Sequence, residues 1–178
     1  MPELPDVAGF KRYLDATSLH QKIEATTCLD DRFIKGVSRA GLQQRLKGES
    51  LESSRQWGKW LFVDLSRKGK LVLHFGMTGM LDYAASDGGL PEHTRLALFF
   101  DSDHRLAVIS QRMIGRASYT EDPDAFAAEH ELGPDALDDE LDQDRFLELM
   151  QGRRGSAKSA LMNQSVIAGI GNVYSDEI

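Results

Sequence analysis

Long apolar runs are missing from this chain. No window approaches the roughly 20 consecutive apolar residues that a membrane-spanning helix requires. The first residues are acidic and proline-bearing rather than a basic lead before a greasy segment, which excludes a secretory signal and sets the cytosol as the expected compartment. Cysteine is scarce as well: Cys28 stands alone. A single thiol excludes internal disulfides and any thiolate-cluster zinc site within these residues, and suits a reducing environment. Positive charge is in deficit, with a net charge of −7, which taken whole argues against a polyanionic partner. The deficit is local. Residues 1–80 hold thirteen Lys/Arg against nine Asp/Glu, whereas residues 81–150 hold five against seventeen. The run from Glu121 to Glu148 supplies most of the acid and reads as a solvated linker or exposed helix face. At 178 residues and 41% hydrophobic, the chain can bury one good core or two small ones.

The patterning predicts an α+β protein. Pro5, Val7, Phe10 and Leu14 have helical spacing, with proline where a first turn tolerates it and Asp6 near the positive end of the helix dipole. Short alternating or apolar runs follow at Lys22–Thr27, Trp60–Leu65, Lys70–Phe75, Arg95–Asp101 and Arg105–Ser110. Ser66–Gly69 and Asp101–His104 are good hairpin connections, so antiparallel β structure in two packed sheets is expected. Leu132-Gly133-Pro134-Asp135 ends the β character, giving an amino-terminal β-sandwich domain over 1–133 and a helical domain over 134–178. Leu137, Leu141, Phe146, Leu149 and Met150 suggest a helix. A loop at Gly152–Gly155, a second helix over about Ala157 to Ile167, and a tight Gly169-Ile170-Gly171-Asn172 turn opening a helix at Val173–Ile178 complete it. A final helix without an evident packing partner raises the expectation that a carboxy-terminal portion is missing.

The start, Met1-Pro2-Glu3-Leu4-Pro5, carries chemistry if the initiator methionine is removed, since Pro2 then exposes a secondary amine. Such an amine can attack an aldehyde-like sugar carbon and form an iminium ion, with Glu3 as proton donor or shuttle. By itself this is weak, because a Pro-Glu start is more often an unremarkable tail. Three further motifs follow in order: Gln56-Trp57-Gly58-Lys59-Trp60, then Leu73-His74-Phe75-Gly76-Met77-Thr78-Gly79-Met80, then Ile167-Ala168-Gly169-Ile170-Gly171-Asn172-Val173-Tyr174. With the Pro-Glu-Leu-Pro start, this set resembles the formamidopyrimidine-DNA glycosylase and endonuclease VIII family along the whole chain. Leu4 places the resemblance nearer the formamidopyrimidine-DNA glycosylase branch.

The resemblance implies a bifunctional glycosylase and abasic-site lyase acting on damaged double-stranded DNA as a monomer. Oxidised purines are the first substrate and oxidised pyrimidines the second. Pro2 matches the nucleophile, Glu3 the acid assisting sugar-ring opening, and Lys59 a lysine near the lesion's phosphate, whose positive field would favour the uncharged Pro2 amine. A solvated strand-end lysine is the plain alternative. Met77, Arg112 and Ile114 match the residues that fill the hole left by an extruded base. His74, Lys158 and Asn172 match backbone contacts, although His74 is as readily a core or surface residue and Asn172 a helix cap. Asp6 matches a lesion-pocket carboxylate, shortened from glutamate. Met113 replaces a second arginine, Ile114 an aromatic wedge, and Asn163 an acidic residue. The family continues into a four-cysteine zinc finger, so one structural zinc belongs to a full-length form; no cofactor or metal is expected here. Two other readings remain: a lesion-binding relative without turnover, and an interaction scaffold using the acidic 121–148 stretch.

Overall fold

The computed structural model describes residues 2–153 and 155–178. Helix α1 (Leu4–Ser18) starts with a capping box. The Glu3 amide donates to the Asp6 carboxylate at 2.9 Å, and Pro5 sits in the first turn, where its missing N–H costs nothing. Val7 and Leu14, on the inward stripe, are fully buried.

Among the described residues nine strands form two sheets. One orders β1 (Ile23–Cys28), β7 (Thr94–Phe100), β8 (His104–Ser110) and β6 (Gly79–Ala85). The other orders β2 (Ile34–Lys35), β9 (Arg116–Thr120), β5 (Lys70–His74), β4 (Trp60–Leu65) and β3 (Leu51–Trp57). All pairings are antiparallel except β2 with β9. Ile23, Leu96, Leu98, Leu106 and Val108 of the first sheet meet Leu51, Leu61, Val63, Leu71 and Leu73 of the second in one core, which α1 and α2 (Arg39–Leu46) also enter. The expected hairpins at 66–69 and 101–104 join β4 to β5 and β7 to β8. Helix α2 and strands β2, β3, β6 and β9 were not legible. Strand β3 (LESSRQW) lies at a sheet edge, mostly solvated, and lacks a clear apolar alternation.

Strand β4 is apolar on both faces, for a reason its pattern could not disclose. Leu61 and Val63 point into the sandwich, while Trp60 and Phe62 join Val72 and Phe126 in a second cluster on the outer face. Phe126 belongs to α3 (Pro123–Glu129), capped by Asp122 accepting the amides of Asp124 and Ala125. The acidic run is therefore not simply a linker: its first helix buries Phe126 and Ala127.

Beyond it, α4 (Gln143–Met150) and α5 (Ala157–Met162) gather around Leu161, Val166, Ile167 and Ile170, and α6 (Tyr174–Glu177) lies against α5. The helix expected from Leu137 begins only after Asp142, because aspartates bind the local backbone instead. Asp135 accepts from the Leu137 amide at 2.8 Å and Asp138 from the Glu140 amide at 3.0 Å, the turn-forming competition that keeps short polar side chains out of helices. The second helix likewise stops at Met162 rather than Ile167; Asn163 accepts from the Ser165 amide and hydroxyl. No helix among the described residues is long and apolar enough to cross a membrane.

Candidate active site and nucleic-acid interface

Three motifs distant in sequence meet at the front of α1. The side chain of Glu3, only 3% exposed, accepts the amides of Gly171 and Val173 at 2.9 Å each and of Tyr174 at 3.2 Å. These are the amides of the glycine turn and the start of α6, whose donors would otherwise lack partners. A side chain on Gly171 would collide with the Glu3 carboxyl group, and one on Gly169 (φ +114°) with Leu4. Burial raises the Glu3 pKa, but the three amides and the charge of Lys59 outweigh it and hold the carboxyl below its ordinary value. Glu3 is thus a fixed carboxylate at neutral pH.

Lys59 occupies the two-residue turn between β3 and β4, where Trp57 pairs with Trp60. Gly58 provides the positive φ of +56° that this tight turn demands, and a Cβ there would lie 2.7 Å from that of Ala168. Lys59 is 6% exposed, which excludes the solvated strand-end alternative. Burial pulls its pKa down while Glu3 pulls it up. Pro2 is half-buried and immediately precedes Glu3; the expected removal of Met1 concerns a residue outside the described ones.

Bracing residues that the sequence did not single out hold this junction. Gln56 donates to the carbonyls of Leu4 and Gly58 at 3.0 and 2.9 Å. Asp135 accepts the Gly58 amide at 2.5 Å, and the Trp57 indole donates to the Gly133 carbonyl at 2.9 Å. Gln164 accepts the Gly169 amide at 2.9 Å and donates to the Ile170 carbonyl at 2.8 Å. Gln56 and Trp57 were visible within a motif; Asp135 and Gln164 carried no local signal.

Two loops form the second feature. The Gly76 turn (φ +64°) packs so closely on the loop after β8 that a Cβ would fall 2.5 Å from the Gly115 nitrogen. The Arg112 amide donates to the Thr78 hydroxyl at 3.1 Å. Met77 and Ile114 are consequently presented on adjoining loops, 41% and 45% exposed, with Arg112 exposed between them. Met113 does the opposite. At φ +55° it turns inward and packs against the sandwich core, so the methionine standing at the second-arginine position serves packing.

His74 ends β5. Its ring lies 4.7 Å from that of Trp60, and its Nδ1 accepts the Gly76 amide at 3.2 Å. Burial first, then the charges of Arg116, Lys59 and His130, push its pKa down to about 4. The imidazole is neutral, with its proton on Nε2. Lys158, on the first turn of α5, pairs with Asp176 of α6. Among the described residues the N-cap of α6, Val173, provides no side-chain cap; the exposed Asn172 side chain stands beside the amides that Glu3 occupies. Asp6 is exposed and its carboxylate holds the Glu3 amide. Pro2, Glu3 and Lys59 are thus drawn to one junction, Met77, Arg112 and Ile114 to one pair of loops, and Lys158 with Asn172 to the helical segment. Among the described residues no group of three or more His, Cys, Asp or Glu could hold a metal, and Cys28 is buried in the sandwich, so the residues present do not fit a zinc finger.

Known proteins resemble this chain in sequence and in fold. The description "Formamidopyrimidine-DNA glycosylase N-terminal domain" matches residues 1–117 and "Formamidopyrimidine-DNA glycosylase H2TH domain" residues 132–178. The formamidopyrimidine-DNA glycosylase of Acaryochloris marina is 35% identical over 187 residues, covering 99% of this chain and 66% of that protein. That of Carboxydothermus hydrogenoformans is 33% identical, covering 100% and 64%. A solved complex between the Lactococcus lactis Fpg and DNA containing an abasic site has a TM-score of 0.89 at 25% identity, covering 98% of this chain and 65% of that one. The Lactococcus lactis protein with DNA containing N7-benzyl-Fapy-dG gives 0.91 at 25% identity, covering 99% and 65%. The fold is that of the two matched domains, an antiparallel sandwich clamped to a helix-two-turns-helix segment. Within that fold class, the chain belongs to the formamidopyrimidine-DNA glycosylase family. It spans 64–66% of the length of these two curated relatives.

Proposed function

We propose that this chain carries the catalytic part of a base-excision DNA glycosylase with abasic-site lyase activity, acting on oxidised purines such as 8-oxoguanine and formamidopyrimidines. Residues 1–133 form its catalytic domain and 134–178 a DNA-binding helix-two-turns-helix portion. One observation carries the reading: a buried carboxylate at position 3, fixed by the glycine turn and influenced by Lys59, directly follows Pro2, whose nitrogen becomes a free secondary amine once Met1 is removed.

Glu3, held as a carboxylate, takes a proton from the Pro2 ammonium. The freed lone pair attacks C1′ of the damaged nucleotide, the C1′–N bond breaks, and the base departs with the bonding pair and takes up the proton that the Pro2 nitrogen loses on forming its new bond. The deoxyribose ring then opens, Glu3 returns the proton to O4′, and an iminium links Pro2 to C1′. That electron sink permits β-elimination, then δ-elimination, of the flanking phosphates. Lys59 anchors phosphate and disfavours a second positive charge on Pro2. Met77, Arg112 and Ile114 occupy the space vacated by the extruded base, recovering part of the few kcal/mol that extrusion costs. His74, Lys158 and Asn172 hold the backbone, and Asp6 borders the lesion pocket. The protein works as a monomer on nucleoid DNA in the cytoplasm.

Borohydride trapping tests this. Incubation with a duplex containing 8-oxoguanine should give a covalent adduct that maps to the peptide beginning at Pro2, and Glu3→Gln should remove base release. Absence of any adduct on oxidised-purine, oxidised-pyrimidine and abasic duplexes sinks the lyase reading; retained lesion-selective binding would then mark a relative without turnover.

A further inference from the structure

Trp60, His74 and Arg116 form a row across three adjacent strands, paired Trp60 with His74 and His74 with Arg116. They share the outer face of the five-stranded sheet, at the end bearing Lys59. The Arg116 guanidinium lies over the Trp60 ring, 4.9 Å from its centroid, and His130 closes on the same ring from the end of α3 at 5.0 Å. Among the described residues, Arg116 has neither an ion-pair partner nor a side-chain hydrogen bond, although half of it is withdrawn from water. Arg105, by contrast, is buried with Asp82 at 2.7 Å. A half-buried guanidinium with no carboxylate retains five unused donors in a fixed plane. Stacking on tryptophan fixes that plane at modest gain but leaves the charge uncompensated. Its neighbours are basic or neutral: His74 presents Nε2–H, and the charges acting on His74 are all positive. Such a place attracts an anion.

We propose that Arg116 binds the two non-bridging oxygens of a DNA phosphodiester, with the Nε2–H of His74 as a neutral second donor, extending the backbone grip beyond Lys59 along this row. The inference rests on the DNA-glycosylase reading above. The phosphate supplies the missing counter-charge in a bidentate geometry that Lys could not reproduce, and the Trp60 ring sets the angle of approach.

Binding of the chain to a duplex carrying a tetrahydrofuran abasic analogue, followed by fluorescence anisotropy across about 50–200 mM salt, tests it. Arg116→Gln should weaken binding roughly tenfold and reduce the slope of log affinity against log salt by about 1, equally for damaged and intact duplexes. Arg116→Lys should restore the slope but only part of the affinity. To separate contact from folding, phosphates flanking the lesion are replaced one at a time by neutral methylphosphonates. One position should weaken the wild-type chain and leave Arg116→Gln unaffected. Unchanged affinity and slope in Arg116→Gln, or equal sensitivity of both proteins at every methylphosphonate, overturns the inference alone. Failure of the wild-type chain to bind any duplex overturns it together with the proposed function.

Discussion

The sandwich and the helical segment are held together by different means. The sandwich core takes side chains from all nine described strands and from helices α1 and α2 and leaves most of them fully buried. The helical segment gathers around four buried residues; α4 buries none, and Leu137, Val173 and Ile178 are 73%, 61% and 76% exposed. Burial on that scale contributes little by itself. The segment instead leans on the sandwich through polar contacts at Glu3, Trp57 and Gly58. The candidate catalytic group thus sits at the seam, so the weaker region's docking and the assembly of the site are one event.

The contrast can be broken most forcefully from the sandwich side. Leu61→Ala removes a fully buried side chain between the sheets and should cost about 4 kcal/mol, lowering the urea midpoint of every probe together. A fall confined to the helical segment would refute the division.

Acid should separate the two regions next. His74 has its pKa depressed from 6.5 to about 4, so between those values the unfolded chain binds the extra proton. Stability is unimpaired above about pH 6.5 and falls as pH drops toward 4, by up to the order of 3 kcal/mol. His74→Gln should flatten that slope in a pH series of urea melts. Glu3 acts lower on the scale. Its stabilising contribution is present above the unfolded value of 4.5 and disappears as pH falls through the lower folded value, freeing the amides of Gly171, Val173 and Tyr174 to exchange.

Substitution at the seam should have an intermediate effect. Gly169→Ala combines φ +114° with a collision against Leu4 and should weaken docking by roughly 2 kcal/mol. Borohydride adduct yield should drop while the sandwich unfolds at its usual urea concentration; a parallel loss of both would make the two regions a single cooperative unit. The smallest change is Trp57→Phe, which deletes the indole donor to Gly133. It should cost about 1 kcal/mol, seen as faster amide exchange around 132–136 with the sheets unaffected.

Much of this was readable from the chain alone, where local rules govern. Alternation and turn chemistry located β4, β5, β7 and β8 to within a residue or two, and helical spacing with Pro5 located α1. The ordered motifs named the residues of the candidate site, because a proline directly after the initiator methionine is a fact of covalent sequence. Polar edge strand β3 went unread for want of an apolar pattern, and the aspartate-rich 135–142 stretch was misread because aspartates captured the backbone amides a helix would have used. Tertiary structure alone decided how the site is wired. That Glu3 is a carboxylate fastened by amides about 170 positions away, that Met113 faces inward between two exposed neighbours, and that Arg116 lies over Trp60 all depend on contacts between distant segments. Such contacts carry no periodicity along the chain, since they are set by which surfaces exclude water together.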